Sequence, residues 1–252
     1  MRVRPSLLVV ATLLAAFLAA QTAVGSPPAV QQGIAAEFQP AAAAVPPAPA
    51  KPSGPRPHRL AVLRQAVSLS DQPGGPASGG VDATTEFGSP HVLGVVAQKG
   101  DWLGVVTSAR PNGELGWVRR DAVAVQRTRW SLHADLSERT LVLRRNRRAV
   151  HSVTVAIGRP GSETPTGRFA VTDKLAGSKF GPYYGCCILA LSGRQPNTPP
   201  GWTGGNRLAI HGTDVPSTIG TPASAGCLRA SDADLEVLMG QVPLGTPVFI
   251  RA

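Results

Sequence analysis

Cysteine, histidine and aromatic residues are all scarce in this chain. Its 252 residues hold three cysteines and five histidines, and aromatics make up 5%. The cysteines form no Cys-x-x-Cys pair and the histidines are scattered, so no cluster has metal-ligand spacing and no metal centre is expected. Beyond residue 20 no apolar run approaches the roughly 20 residues that a bilayer-spanning helix needs. No internal repeat is visible. Acidic residues are outnumbered, 15 against 25 Lys and Arg, giving a formal net charge of +10. An odd cysteine count leaves at least one thiol unpaired.

The N-terminus carries the marks of export. Arg2 and Arg4 precede an apolar stretch from Leu7 to Ala20, and Ala23-Val24-Gly25 offers small residues for cleavage. Residues 1–25 are therefore expected to be a signal peptide, with an uncleaved anchor as the alternative. Residues 26–57 are rich in Pro and Ala and read as an extended linker. Outside a cell, anionic wall polymers and headgroups rather than nucleic acid are the partners for a basic chain. The densest basic spot, Arg144-Arg145-Asn146-Arg147-Arg148, lies between two strand-like runs and reads as a solvated hairpin turn.

Two folded parts are expected after the linker. Residues 58–127 alternate short strand-like runs with turns such as Lys99-Gly100-Asp101 and Pro111-Asn112-Gly113. Asp71–Val81 reads as loop, and Trp102 and Trp117 as core. Residues 128–252 hold strand-like runs at Leu132–Leu136, Thr140–Leu143, Val153–Ile157, Ile188–Leu191, Leu208–Ile210 and Val248–Ile250. Near their end, Ser231 with Asp234 forms a capping pattern for one helix, whose apolar face would be Leu235, Leu238 and Met239. The fold class is thus mainly β, with one short helix after Cys227.

Chemistry concentrates in two short motifs. Leu208-Ala209-Ile210-His211-Gly212-Thr213 ends an apolar run on a histidine, and Ser224-Ala225-Gly226-Cys227-Leu228-Arg229 sets a cysteine in a small-residue turn. A free thiol has a pKa of about 8.5 and needs a base or a cation to attack a carbonyl near neutral pH. His211 can be that base, first taking the thiol proton and then donating one to a leaving amine. Ser224, Ala225 and Gly226 allow close backbone approach, and the N–H groups of Gly226 and Cys227 could face a developing oxyanion. Arg229 suits a substrate carboxylate. Cys186 and Cys187 are adjacent, and they read as small buried hydrophobes rather than a bridge.

These motifs, with the Thr164-Pro165-Thr166-Gly167 turn before them, resemble the L,D-transpeptidase catalytic domain, the YkuD-like family, over roughly residues 128–252. Gly158, Phe169 and Tyr184 fit the same pattern. The resemblance implies a β-rich sandwich and no cofactor. Cys227 is then the nucleophile and His211 the base, with Gly212 fixing the imidazole through its carbonyl. Substrate and oxyanion contacts fall to Gly226, Arg229 and Ser224. Peptidoglycan stem peptides are the implied substrates, and carbapenem-type β-lactams the implied inhibitors. One position departs: Ala225 stands where the family has a second histidine before the Gly-Cys. A weakened, wall-binding member is the reading that Ala225 favours. The order Gly-Asp-Trp, Asn-Gly, Gly-Trp-Val in residues 58–127 resembles bacterial SH3 domains, implying a small β-barrel. Wall endopeptidases of the NlpC type also carry such modules, but there the cysteine precedes the histidine, the reverse of the order here.

Overall fold

The computed structural model describes residues 56–252, so the signal segment and nearly all of the linker lie outside the described residues. The described residues belong to one compact unit, and within it the chain builds two large sheets. The first has seven antiparallel strands: β1 (His58–Val62), β2 (Val67–Ser70), β3 (Ala77–Val81), β4 (Val92–Lys99), β5 (Trp102–Val106), β6 (Gly116–Arg119) and β7 (Ala124–Thr128). Their order is β3-β2-β6-β5-β4-β1-β7. Alternation along the strands sends Leu69, Leu93, Leu103, Val105 and Val118 into one apolar cluster. Each such side chain, fully buried, contributes about 1.5–3 kcal/mol.

The second sheet is mixed. Its strands are β8 (Trp130–Asp135), β9 (Thr140–Arg145), β10 (Arg148–Thr154), β12 (Gly167–Ala176), β13 (Cys187–Arg194), β14 (Arg207–His211), β16 (Leu228–Arg229) and β17 (Pro247–Arg251). They run in the order β10-β9-β8-β17-β12-β13-β14-β16. A two-stranded parallel piece, β11 (Ile157–Gly158) with β15 (Pro222–Ser224), lies beside it in the chain order. The one α-helix among the described residues, α1 (Asp232–Gln241), buries Leu235 and Leu238 in the core of this sheet. Ser231 caps it as expected: the Asp234 N–H donates to Ser231 Oγ at 3.2 Å. The fold class read from the sequence, mainly β with one short helix after Cys227, is the fold observed.

Three expectations need correction. Asp71–Val81 is not all loop: Ala77–Val81 pairs with β2 through backbone groups that need no apolar side chain. Trp102 and Trp117 are half-buried rather than core. Arg119 lies over the Trp102 ring at 5.9 Å, and the Trp117 ring packs near Gly104. The Cys186–Cys187 pair is bridged, not reduced, and is half-buried. The basic cluster does form a tight hairpin, with Asn146 and Arg147 at φ 53° and 67°.

The loop joining β3 to β4 clasps the second sheet. Thr85 Oγ1 donates to Asp173 Oδ1, and Glu86 pairs with Arg207 at 2.9 Å. Phe87 meets Phe180 edge-on at 5.9 Å. Asp173 is fully buried and its Oδ2 has no partner among the described residues. Thr85→Val removes the one side-chain donor to a buried carboxylate. It is expected to lower stability by about 1–3 kcal/mol, read as a lower urea midpoint. An unchanged midpoint would mean that Asp173 does not depend on the clasp.

Candidate active site

Parallel pairing of β14 with β16 brings the two motifs together. Ile210 lies opposite Leu228, and His211 opposite Arg229. Ile210 and Leu228 point into the core. The alternate residues, Ala209 and His211 on one strand and Cys227 and Arg229 on the other, share the opposite face. Ala209, His211 and Cys227 line a narrow cleft of about 30 Å³ with Tyr183, Gln195 and Trp202.

His211 is completely buried, and Gly212 O lies 2.6 Å from its Nδ1. A carbonyl can only accept, so Nδ1 carries the proton and Nε2 is left as the free base. Nε2 is buried with no hydrogen-bond partner among the described residues, and Tyr184 packs against the ring at 4.9 Å. Gly212 is required here: a Cβ would collide with Asp232 Oδ1 and press on Gly185 Cα. The Gly212 N–H is held by the Cys187 carbonyl at 3.1 Å.

Cys227 is the free cysteine, with Sγ 3.8 Å from the Arg207 carbonyl. Burial pushes its thiol up to about 11, against smaller opposing effects of the Ala209 N–H and of Arg229. Burial likewise drives the His211 imidazole down to about 4, opposed by the Gly212 carbonyl and aided by Arg229. Burial thus favours the neutral thiol and the neutral imidazole in the resting cleft, so proton transfer during attack is the expected course.

These shifts bear on stability. The unfolded His211 titrates near 6.5 and the folded one near 4. Between those values the unfolded chain binds the extra proton. The fold is therefore favoured fully above pH 6.5 and loses about 3 kcal/mol as pH falls to 4. His211→Gln should flatten that limb of a Tm-against-pH curve, and an equally steep limb in the variant would contradict the buried, neutral ring.

The turn around Cys227 is braced from within. Ser224 is buried; its Oγ donates to the Cys227 carbonyl at 2.6 Å and accepts from the Gly226 N–H at 3.0 Å. The Gly226 N–H, expected to face an oxyanion, is thus engaged by Ser224, because a buried hydroxyl in a tight turn takes the nearest donor. Gln195, which the sequence reading missed, fills the space beside this turn. Its Nε2 lies within donating distance of three carbonyls, Glu163 at 2.9 Å, Ser162 at 3.2 Å and Ala225 at 3.3 Å. A buried Gln just beyond β13 carries no sequence signal of its own. Ala225 lines the cleft where the family's second histidine was expected.

Arg229 also differs from expectation. It is 7% exposed, donates to the Tyr183 hydroxyl and covers the Tyr183 ring at 4.5 Å. It does not itself line the cleft. No carboxylate forms an ion pair with Arg229 among the described residues, and the Tyr183 phenol accepts from it instead. Its Nε has no partner.

Residues 129–250 match the family model of the L,D-transpeptidase catalytic domain, YkuD. The second sheet and its helix are the part of the chain that this family model matches. This chain is similar to Bacillus subtilis (strain 168) YkuD, at 31% identity over 124 residues, 48% of this chain and 66% of that protein. It is also similar to Bacillus licheniformis YkuD, at 32% over 123 residues, 48% of this chain and 65% of that protein. The chain thus spans just under two thirds of the length of these relatives. Among solved structures, L,D-transpeptidase 3 from Mycobacterium tuberculosis aligns with a TM-score of 0.40 and 17% identity, covering 55% of this chain and 74% of that one.

The bridged Cys186–Cys187 pair adjoins the residue after the base, its Cys187 carbonyl accepting from the Gly212 N–H. Cys186 N–H is held by Asp232 Oδ1 at 3.0 Å, and Gly177 N–H by the Cys186 carbonyl at 2.7 Å. The pair therefore anchors the segment that carries Tyr183 and Tyr184 to the start of α1.

Proposed function

We propose that the chain is an exported L,D-transpeptidase acting on peptidoglycan stem peptides. The observation that carries this reading is the buried, unpartnered Nε2 of His211, tautomer-fixed by Gly212, in the same cleft as the free Cys227. Cys227 Sγ attacks the carbonyl of the diaminopimelate residue in a tetrapeptide while His211 Nε2 takes the thiol proton. The tetrahedral intermediate collapses to a thioester, and the same proton goes to the departing amine of D-alanine. An amine on a neighbouring stem then attacks the thioester, gives its proton to His211 and restores the thiol, leaving a 3-3 cross-link.

The Cys227 N–H is the oxyanion donor of the turn, since the Gly226 N–H is engaged. Ser224 and Gly226 set the turn, and Arg229 supplies positive charge from behind Tyr183. No metal or organic cofactor enters these steps. Carbapenems, whose strained carbonyl mimics the scissile one, acylate Cys227. The first sheet, SH3-like by its motif order, and residues 1–25, a signal peptide by theirs, deliver the YkuD domain to the wall.

Incubation with a disaccharide tetrapeptide, followed by mass spectrometry, tests this. A cross-linked dimer with loss of D-alanine is expected. Tripeptide without dimer would make water the acceptor and the chain an L,D-carboxypeptidase. Untouched substrate would favour a wall-binding protein weakened at Ala225.

A further inference from the structure

A second cavity, of about 710 Å³, lies on the outer face of the second sheet and shares no lining residue with the catalytic cleft. Its floor is a row of residues on four adjacent strands. Arg168 pairs with Phe249, Phe249 with His133, and His133 with Val142. Their chain neighbours Leu132, Leu141, Val248 and Ile250 point the other way, into the core. The row therefore faces away from that core, meeting the first sheet at Arg168 and Phe249. Phe249 is its fixed centre. His133 stacks on the ring at 4.8 Å, Arg168 sits over it at 5.3 Å, and His58 of the first sheet approaches at 6.0 Å.

Positive charge in this trough is not matched. Arg144, Arg168 and Arg251 line it against Asp135 and Glu138. Asp135 is paired with Arg251 at 2.6 Å. Arg144 and Arg168 have no carboxylate partner among the described residues; each donates once to a backbone carbonyl, of Arg147 at 3.1 Å and of Val95 at 3.2 Å. The Nε of both is buried without a partner. A half-buried guanidinium with unmet donors is unfavourable unless an acceptor arrives.

The surrounding charge is also cationic. His58 is lowered by burial, then by Arg168 and Arg147, and His133 by burial, then by Arg144, His58 and Arg251. The cationic track continues past the trough. The β9–β10 hairpin presents exposed Arg147, whose charge acts on His58, while Arg145 and Arg148 lie on its other face, Arg145 over the Trp130 ring at 5.2 Å.

We propose that this trough binds the phosphodiester groups of an extended polyol-phosphate wall polymer, with Arg144 and Arg168 as the ligating pair and Arg147 of the hairpin as their continuation. Phosphate suits two planar guanidinium forks with free donors better than a point charge does. The chain supplies the fork preferentially, with 21 arginines against four lysines. A track longer than one anion fits a polymer rather than a single phosphate. The wall as its source rests on the export reading above; phosphodiester binding itself does not.

The test uses the full-length chain and a glycerol-phosphate oligomer, with inorganic phosphate and single-stranded DNA of equal phosphate number as comparisons. Arg144→Gln/Arg168→Gln is expected to weaken oligomer binding about tenfold or more, with D-alanine release from tetrapeptide unchanged. Arg144→Lys/Arg168→Lys, which keeps the charge and is the milder change, is expected to lose part of the affinity. Equal binding by wild type and both variants would overturn the site. Wild-type affinity in the lysine variant would reduce it to general attraction and overturn it too. So would inorganic phosphate or DNA binding as tightly as the oligomer. If the wild type bound the oligomer but turned over no tetrapeptide, the proposed function would fail and this site would stand.

Discussion

His211→Gln is expected to slow D-alanine release from a tetrapeptide stem by about 100- to 10,000-fold, the range typical of a lost general base. The size follows from the resting state of the pair. With the thiol held near 11 and the imidazole near 4, almost no thiolate exists before substrate binds. The base must therefore remove the proton during attack, and glutamine cannot. Binding should change little, so the loss belongs in kcat rather than KM. Raising the pH toward 11 should restore part of the variant's rate, since hydroxide can then supply the missing deprotonation. A variant within a few-fold of wild type at pH 7 would mean that His211 is not the base.

Gly226→Ala is expected to lower turnover by about 100-fold, with a loss of roughly 1–3 kcal/mol in stability. Gly226 stands at φ +118°, where a side chain is strained, and an added Cβ would collide with Gln195 Nε2. Gln195 could yield only by releasing the Glu163, Ser162 and Ala225 carbonyls that it holds. Either response shifts the Cys227 N–H, and about 1 Å of displacement at a reacting centre is enough for a loss of this size. The measurement is steady-state release of D-alanine beside a thermal melt. A stable, fully active Gly226→Ala protein would show that the turn tolerates rearrangement and that Gln195 is no brace.

How much of this was legible in the sequence differs by element. The strands at Leu132, Thr140, Leu208 and Val248 announced themselves as short apolar runs bounded by turn residues, and Ser231 with Asp234 marked the helix start. His211 and Cys227 could be singled out because His211 ends such a run, Cys227 sits in a small-residue turn, and few other histidines or cysteines compete. What failed to show was decided by partners far away in the chain. Ala77–Val81 becomes a strand because β2 offers it a ladder, not because Ser78, Gly79 and Gly80 favour one. Gln195 gained its place from three carbonyls on other segments. Arg229 takes Tyr183, 46 residues away, as its hydrogen-bond partner. The Cys186–Cys187 bridge joins neighbours, so no spacing in the sequence could have signalled it. The clasp of Thr85 and Glu86 on Asp173 and Arg207 likewise links positions that nothing in either segment pairs.

The most direct test of the central claim, acyl transfer through Cys227, is an intact-mass and peptide-mass measurement after exposure to a carbapenem, on wild type and on Cys227→Ala. The account predicts a single adduct on the wild-type protein. That adduct maps to the peptide containing Cys227, is absent from the variant, and leaves the Cys186–Cys187 bridge in place. An unmodified wild-type protein, or an adduct that persists in Cys227→Ala, would contradict it.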